Sequence, residues 1–193
     1  QVTLPAGYTL TWAGQYEYLQ RAGQRMAWIV PLTLAIILVL LYLSFHSFTQ
    51  ALLVIAAVPL SLVGGIWLVY FLGYELSVAV AVGFIALAGV AAEFGVVMMV
   101  YLDEAVKRHR PATLQELRTA VIEGAVQRVR PKAMTAAVII AGLLPIMLGG
   151  GTGSEVMRRI AAPLVGGMVT APLVSMLLIP VLYLWWKGRG LGE

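Results

Sequence analysis

The 193-residue sequence contains no cysteine and few charged residues. Without cysteine the chain forms no disulfide and has no thiolate to bind a metal or to attack a substrate. The two histidines, His46 and His109, lie in or near loops and are too few for a histidine-rich site. Charged residues make up 11% of the chain, whereas soluble domains are about a quarter charged. Because 61% of the residues are hydrophobic and the mean hydropathy is +0.91, the composition is that of an integral membrane protein.

Five apolar runs are long enough to cross the bilayer core of about 30 Å, which takes about 20 helical residues. They lie at about 28–45, 51–72, 76–102, 133–148 and 160–186. We therefore predict an all-α transmembrane helix bundle. Its predicted organisation is a lead-in region at 1–26, the bundle at 27–187 and a tail at 188–193.

The residues before the first span are polar and mixed. Residues 8–12 alternate in polarity as a strand does, and from about Gln15 the sequence favours a helix that continues into the first span. The strand is too short to form a domain, and we expect it to be the end of one.

A polar segment at residues 103–132 separates the third and fourth spans. Within it, Thr113 and Glu116 have the spacing of a capping box, in which each side chain satisfies a free N–H at a helix start. Apolar residues follow at helical spacing, namely Leu114, Leu117, Val121, Ala125 and Val129. We predict an amphipathic connector helix at about 113–130 that lies along the membrane surface. An ordinary solvated connector is the alternative.

Positive charge predicts the orientation of the spans. Nine of the thirteen Lys and Arg residues lie in the connector or at the C-terminus, so both segments are predicted to be cytoplasmic and the N-terminus to be outside. These basic residues orient helices and do not indicate nucleic-acid binding. The first 25 residues lack the pattern of a secretory signal peptide, and the sequence begins with Gln1. We therefore expect a C-terminal piece of a longer protein, whose upstream spans carry Gln1 across the membrane.

Glu93 is a carboxyl in an otherwise almost uncharged stretch, residues 76–102. An acid at membrane depth costs about 2.5–3.5 kcal/mol on insertion scales, so it faces a bundle interior, pairs with a base or handles a proton. Small neighbours such as Gly89 and Ala92 favour the close approach of a partner helix. The predicted role is proton uptake and release. A static hydrogen-bonded acid that holds helices together is the alternative.

Lys132, at the cytoplasmic mouth of the fourth span, is the candidate counter-charge. Pro131 restricts Arg130 to extended backbone, which predicts that a helix restarts near Lys132. A direct pair with Glu93 requires that the overlong third span extend into the cytoplasm. Thr135, one turn further on, would then relay a proton or orient the lysine. The alternative for Lys132 is an interfacial anchor whose ammonium reaches back to water.

Met157 follows a glycine-rich turn, GGGTG, at the outer end of the fourth span. A thioether is a soft ligand that suits monovalent copper or silver, although a lone methionine more often packs in a core.

The glycine-rich turn GGGTG lacks the GK[ST] of a phosphate-binding loop. Ser154 has no nearby histidine and no GxSxG context, so a hydrolase has little support.

Four stretches of the sequence resemble the resistance-nodulation-division (RND) transporters, and more narrowly their heavy-metal efflux pumps. They are VPLSLVGG (58–65), GFIALAGVAAEFGVVMMVYL (83–102), GAVQRVRPKAMTAAVIIAGLLPIML (124–148) and GTGSEVMRRIAAPLVGGMVTAPLVSMLLIP (151–180). The leader LPAGYTLTWAGQYEYLQRA is similar to the strand and helix by which the periplasmic porter region of that family enters its eighth span. On this resemblance the chain corresponds to the last five of twelve spans.

The resemblance implies roles for the candidate residues. Glu93 and Lys132 would belong to the proton relay, with acids on the absent fourth span as partners, and Thr135 stays the candidate that relays a proton or orients the lysine from its place one turn after Lys132. Met157 would match a methionine on the metal path of the copper and silver exporters. The connector is shorter than in the copper pumps, a difference that a surface loop tolerates.

The resemblance also implies a secondary transporter rather than an enzyme, namely a proton-driven antiporter that exports heavy-metal cations of the Cu/Ag or the Zn/Co/Cd/Ni class and holds no resident cofactor. Its expected setting is the bacterial inner membrane, with a periplasmic N-terminus and a cytoplasmic C-terminus. Its expected partners are the remainder of the pump polypeptide, two further copies in a homotrimer, a periplasmic adaptor, an outer-membrane channel and membrane lipid.

Two other functions remain open at this point. One is a non-transporting membrane scaffold or regulator, which the presence or absence of upstream spans in the gene would test. The other is an RND exporter of organic compounds. The multidrug branch of the family typically has a lysine where AAEFG places Glu93, which disfavours that function.

Overall fold

The structure is a computed structural model that describes residues 15–189. Its helices are α1 (Gln15–Phe45), α2 (Phe48–Ser61), α3 (Val63–Phe71), α4 (Val78–His109), α5 (Leu114–Leu148) and α6 (Ser154–Gly188). No strand occurs among these residues. The predicted strand at residues 8–12 and residues 190–193 of the predicted tail lie outside the described part. The all-α prediction is confirmed for residues 15–189.

Five segments of the described chain are long and apolar enough to cross a membrane, as predicted from hydropathy. They are Gly23–Phe45, Phe48–Phe71, Val78–His109, Leu114–Leu148 and Ser154–Gly188. The chain divides into two compact units at Leu40. The described part of the first unit is α1 as far as that residue, and this helix starts at Gln15 and continues into the first span, as expected. The second unit holds the remaining helices.

The second unit is organised around α6, which contacts each of α2, α3, α4 and α5. Its core includes Leu87, Ala91 and Phe94 of α4, packed on Met168 and Ala171 of α6. Within a bilayer, close packing rather than water exclusion stabilises such a cluster, because lipid tails are as apolar as the side chains. The three prolines inside α6 are all buried, so the helix presents its irregular positions to protein and not to lipid.

Glycines allow α6 to approach its neighbours closely. Gly64 of α3 and Gly166 of α6 face each other, and a Cβ added to either would meet the carbonyl oxygen of the other. Gly167 leaves room for the side chain of Leu87. Small residues at facing positions bring helix backbones together and increase their packing contacts.

The second span is broken at Leu62, three residues after Pro59, so that α2 and α3 are separate helices. A proline has no N–H and crowds the preceding turn, which interrupts the helical hydrogen bonds. The Thr170 hydroxyl of α6 bridges the break, donating to the Ser61 carbonyl at 2.7 Å and accepting from the Gly64 N–H at 3.2 Å. A side chain of a neighbouring helix thus satisfies backbone groups that the break frees.

Helix α5 is continuous from Leu114 to Leu148, which differs from the predicted restart near Lys132. The expected connector helix and the fourth span are therefore one element. Pro131 removes one hydrogen bond from a helix that has more than four turns on either side, and this loss is too small to end it. The residue before a proline often ends a helix, but not always, and here the helical turns on both sides of Pro131 are long enough to keep α5 continuous.

The capping box at the start of α5 is confirmed. The Glu116 N–H donates to Thr113 Oγ1 at 3.2 Å, and the Thr113 N–H donates to the Glu116 carboxylate at 3.4 Å. The following turns are amphipathic, but the buried stripe is narrower than predicted and consists of Leu117, Ala120, Val121 and Gly124. Leu114 and Val129, at the ends of the predicted stripe, are 60% and 45% exposed.

Candidate functional site

Lys132 is buried among the helices, with 4% of its surface exposed. Its ammonium donates to the backbone carbonyl of Phe94 on α4 at 2.9 Å and to Ser175 Oγ on α6 at 3.0 Å. The Ser175 hydroxyl donates in turn to the Pro172 carbonyl at 2.9 Å. Lys132 therefore links α5 to two other helices. This position argues against an interfacial anchor, whose ammonium would leave the bundle.

The surroundings of Lys132 suit a buried cation. An isolated ammonium away from water is very costly unless hydrogen bonds replace its hydration. An ammonium has three N–H donors, and the Phe94 carbonyl and the Ser175 hydroxyl accept two of them. The Phe94 ring centroid lies 5.9 Å from Nζ, at the outer limit of a cation–π contact.

Glu93 precedes Phe94 on α4, but its side chain is exposed. Lys132 donates to the carbonyl of Phe94 instead of to the Glu93 carboxylate, so the predicted direct pair is not formed in this structure. The two candidate residues are nonetheless brought to the same level of the bundle, because Phe94 follows Glu93 directly in the chain.

Glu93 lies on an open strip of α4. The members of this strip are exposed and recur at helical spacing, and they are Val82, Ala86, Gly89, Glu93 and Val100. A Cβ added to Gly89 would meet no atom of another helix within 4 Å. Gly83 and Gly95 point the other way, toward Ile160 of α6 and Val54 of α2. Of the small residues around Glu93, Gly83 and Gly95 therefore pack against other helices, whereas Ala86 and Gly89 lie on the exposed face of α4.

Thr135 and Met157 are not brought to Lys132 or Glu93 by any contact in the described chain. The exposed hydroxyl of Thr135 donates to the Pro131 carbonyl, one turn back on α5, at 3.0 Å. Met157 lies in the first turn of α6 and is 56% exposed. Residues 15–189 contain no group of three or more His, Asp or Glu side chains that could hold a metal ion.

A second polar cluster, which the sequence did not predict, joins α2, α4 and α6. Asp103 Oδ1 accepts from Gln50 Nε2 at 2.9 Å and from the Tyr183 hydroxyl at 2.6 Å. Lys107 lies 3.8 Å from the other carboxylate oxygen. Gln50 and Tyr183 are almost completely buried. Gln50, Asp103 and Tyr183 lie near the ends of apolar runs, where polar residues are common. Their contacts therefore follow only from the arrangement of the helices.

Ser175 was also missed. A single serine in an apolar span carries no signal of its own, and its role here depends on the neighbouring α5. The Phe94 carbonyl has no sequence signal at all, because every residue has one.

The described chain has five segments that can span a membrane, a buried ammonium and an acid at the same level of the bundle. These are features of polytopic membrane proteins that carry ionisable groups inside their spans. Such groups are rare in membrane helices and mark transport paths and proton relays. A family model described as the AcrB/AcrD/AcrF family matches residues 1–187.

Relatives of known name narrow the class. The chain is 56% identical to the cation efflux system protein CusA of Escherichia coli, over 98% of this chain and 19% of that protein. It is 53% identical to the putative cation efflux system protein SilA of Salmonella typhimurium, with the same coverage. It is 40% identical to the cobalt-zinc-cadmium resistance protein CzcA of Cupriavidus metallidurans, over 95% of this chain and 17% of that protein.

A solved structure agrees with these relatives. The crystal structure of a heavy metal efflux pump (crystal form II) superposes with a TM-score of 0.82 and 39% identity, covering 97% of this chain and 18% of that one. The chain therefore belongs to the AcrB/AcrD/AcrF family of RND transporters, within its heavy-metal efflux branch. It is a multi-pass inner-membrane protein. It spans less than a fifth of the length of the curated relatives it matches.

Proposed function

We propose that this chain is part of a proton-driven inner-membrane pump that exports heavy-metal cations, and that it supplies part of the proton relay. The observation that carries the proposal is the open strip of α4, on which Glu93 forms no ion pair within residues 15–189. The names of the relatives support metal cations as the exported substrate. Membership of a transporter family supports antiport in place of enzymatic catalysis.

A further helix of the same polypeptide is the proposed cover of the open strip. A carboxyl that faced lipid would be costly, whereas one that faces another helix can exchange a proton with it. Ala86 and Gly89, on the same strip, would let the backbone of such a helix come close. An acid on that helix would be the second proton carrier, as the RND resemblance implies.

Lys132 is proposed to respond to the charge of this acid pair. Its ammonium is held by two neutral acceptors, Phe94 O and Ser175 Oγ, and neutral acceptors bind a cation more weakly than a carboxylate does. When the facing acids lose their protons, the ammonium would be drawn toward them and away from Ser175. When they are protonated, it would return to the position described here. Proton binding would thereby change the contact between α5 and α6.

Thr135 and Met157 receive more limited roles. The Thr135 hydroxyl caps the Pro131 carbonyl, so we propose that it orients the turn that carries Lys132 instead of carrying a proton itself. The exposed thioether of Met157 is accessible at the start of α6, where it would contact a passing soft cation such as monovalent copper or silver. The similarity to a cobalt-zinc-cadmium resistance protein keeps the Zn/Co/Cd/Ni class as the alternative substrate.

The proposed assembly follows that of RND pumps, with a homotrimer, a periplasmic adaptor and an outer-membrane channel. The proposed orientation places the α4–α5 connection and the end of α6 in the cytoplasm. The basic last turn of α4, with Lys107, Arg108 and His109, supports that orientation.

The test is Glu93→Gln in the complete gene product, assayed by metal resistance of cells and by metal-dependent proton flux into proteoliposomes. We expect both to be lost while the protein level and trimer assembly stay normal, because Gln keeps the shape but cannot carry a proton. Glu104→Gln, an exposed acid on the same helix, is the matched control and should keep both activities. Normal resistance in cells that carry Glu93→Gln would refute the relay role.

A further inference from the structure

An ionic cluster centred on Glu123 joins the last turn of α4 to the first half of α5. The Arg108 guanidinium donates to Glu123 Oε1 at 2.8 Å, and His109 Nε2 lies 3.1 Å from Glu123 Oε2. Each of the two basic side chains therefore has a carboxylate oxygen of its own. Within the described part of the chain, these are the ion pairs that α5 forms with another helix.

Both ring nitrogens of His109 face hydrogen-bond acceptors. Nε2 faces the Glu123 carboxylate, and Nδ1 lies 3.0 Å from the carbonyl oxygen of Ala105, one turn back on α4. Neither a carbonyl oxygen nor an ionised carboxylate can donate a hydrogen bond. A neutral imidazole has one N–H group, whereas an imidazolium has two. Both contacts are therefore hydrogen bonds only when His109 carries a proton on each nitrogen.

The charges around His109 act in opposite directions. Glu123 of α5 favours the imidazolium, and so does the end of α4, because a helix C-terminus carries partial negative charge. The neighbouring basic residues of α4 oppose it by charge repulsion, and they are Lys107, Arg108 and Arg110. Glu116 of α5 accepts from the N–H groups of Ala112 and Thr113 at the helix start. Glu123 is therefore the carboxylate through which a protonated His109 acts on α5.

The cluster lies beside a close contact between α4 and α5. A Cβ added to Gly124, the residue after Glu123, would lie 3.0 Å from the Ala105 Cβ and 3.1 Å from the Tyr101 carbonyl oxygen. The side chains of His109 and Glu123 are 37% and 41% exposed, so water reaches both of them. Proton binding at His109 can therefore strengthen or weaken the α4–α5 contact without opening the apolar core.

We propose that His109 is a regulatory proton-binding site that ties α5 to α4 when both of its ring nitrogens are protonated. Histidine is the side chain that ordinarily changes charge between pH 5 and 8. When the ring takes up a proton from the surrounding water, it gains its second N–H and makes both hydrogen bonds. When the ring releases that proton, one nitrogen faces an oxygen with no hydrogen between them, and Arg108 is the remaining cation on Glu123. The α4–α5 contact therefore tightens as the pH falls.

The consequence for transport rests on the proposed function, in which α5 moves Lys132 against Ser175, and on the proposed cytoplasmic position of the α4–α5 connection. A tighter contact with α4 would restrain that movement of α5. Transport should therefore slow as the cytoplasm becomes acidic. A proton-driven exporter delivers protons into the cytoplasm, so His109 would limit the acidification that the pump itself causes.

Hydrogen exchange of the complete gene product tests the proton site without any transport assay. The protection factors of the amides at 114–124, corrected for intrinsic exchange rates, should be about 1.5- to 5-fold higher at pH 6 than at pH 8, the range for one exposed ion pair. His109→Gln should give equal protection at both pH values. His46→Asn is the control and should keep the wild-type ratio, since asparagine tolerates the left-handed backbone of residue 46 (φ 52°). Equal protection of the wild type at pH 6 and pH 8 would refute the site.

Two further variants test the partner of His109. His109→Arg keeps a cation at all pH values and should give the higher protection at both. Glu123→Gln removes the negative charge while His109 stays, so the pH dependence should disappear. Both changes are made on an exposed surface, where substitutions have little effect on folding. A wild-type ratio in Glu123→Gln would overturn the proposed tie between α4 and α5.

Metal-dependent proton flux in proteoliposomes tests the regulation. The flux of His109→Gln is divided by that of the wild type under identical conditions, so that the driving force cancels. This ratio should be about 1 with the cytoplasmic face at pH 8 and about 1.5 to 5 with that face at pH 6. A ratio of 1 at both pH values would refute the regulation and leave the proposed transport intact. Absence of flux in the wild type would instead refute the proposed function, whereas the hydrogen-exchange result would still decide the proton site.

Discussion

Lys132 and Ser175 are joined by a 3.0 Å hydrogen bond that connects α5 to α6, and the Pro172 carbonyl fixes the direction of the serine hydroxyl. Because the Ser175 proton is committed to Pro172, its oxygen lone pairs are turned toward the ammonium. The serine thus acts as an oriented acceptor in a buried site. The consequences of this arrangement can be measured.

Ser175→Ala should destabilise the protein. The substitution leaves the buried ammonium with one protein acceptor, the Phe94 carbonyl, and an unsatisfied buried donor costs about 1–3 kcal/mol. The apparent unfolding temperature in detergent should fall. Ser47→Ala is the control, since Ser47 is an N-cap whose side chain makes no capping hydrogen bond. Equal shifts in the two variants would show that the Lys132–Ser175 bond contributes nothing.

Lys132→Met should separate stability from transport. Methionine has a similar length and removes a buried charge whose desolvation opposes folding, while the Ser175 hydroxyl keeps its bond to the Pro172 carbonyl. We therefore expect an unfolding temperature at or above that of the wild type, and no metal resistance. Resistance at the wild-type level would exclude Lys132 from the relay. A collapse in stability would instead assign it a structural role.

Gly64→Ala should be strongly destabilising, because the new methyl group would meet the Gly166 carbonyl and the Thr170 side chain. Overpacking of this kind typically costs about 1–3 kcal/mol. Gly142→Ala is the matched control in α5, where no atom of another element lies within 4 Å. It should be neutral or raise stability by up to about 1 kcal/mol, as Gly-to-Ala changes in helices do. The unfolding temperature should therefore fall in Gly64→Ala and stay unchanged or rise in Gly142→Ala.

The cluster around Asp103 should behave as a coupled unit. In a double-mutant cycle of Asp103→Ala and Tyr183→Phe, we expect a coupling free energy of about 1.5–3 kcal/mol, the range for a hydrogen bond to a charged group. Denaturant titration of the four proteins would measure it. Tyr70→Phe combined with Asp103→Ala should show no coupling, since Tyr70 is 73% exposed and does not contact Asp103.

Met157→Leu should alter metal resistance selectively. Leucine keeps the apolar volume but removes the sulfur, so resistance to copper or silver should fall while resistance to zinc, cobalt and cadmium is unchanged. Met134→Leu, which changes a methionine of similar exposure on α5, should affect none of them. A uniform loss of resistance to all five metals in Met157→Leu would point to a structural role for the side chain.

The spans were predictable from the sequence because their apolar runs have the length that a bilayer requires. The limits of α5 were not, because Pro131 resembles a boundary when only its neighbours are considered. The outcome depended on the stability of the long helix on either side of it. The break at Leu62 likewise could not be located, since it depends on the Thr170 hydroxyl of another helix.

The candidate site was partly visible for a different reason. Glu93 and Lys132 can be recognised from the sequence alone, because charged residues are rare in apolar segments. Their actual partners do not stand out. Lys132 uses a backbone carbonyl and a lone serine, and the choice between these and the Glu93 carboxylate is made by the packing of α4, α5 and α6.

The continuity of α5 has a mechanical consequence. Its capped first turn and Lys132 are 18 residues apart on one helix, or about 27 Å. Because Pro131 does not interrupt the helix, the capping box and Lys132 lie on one continuous helix axis. A tilt of the first turns of α5, imposed at the membrane surface, would displace Lys132 relative to Ser175. A force applied at the membrane surface and the binding of a proton would then act on the same contact, the Lys132–Ser175 hydrogen bond.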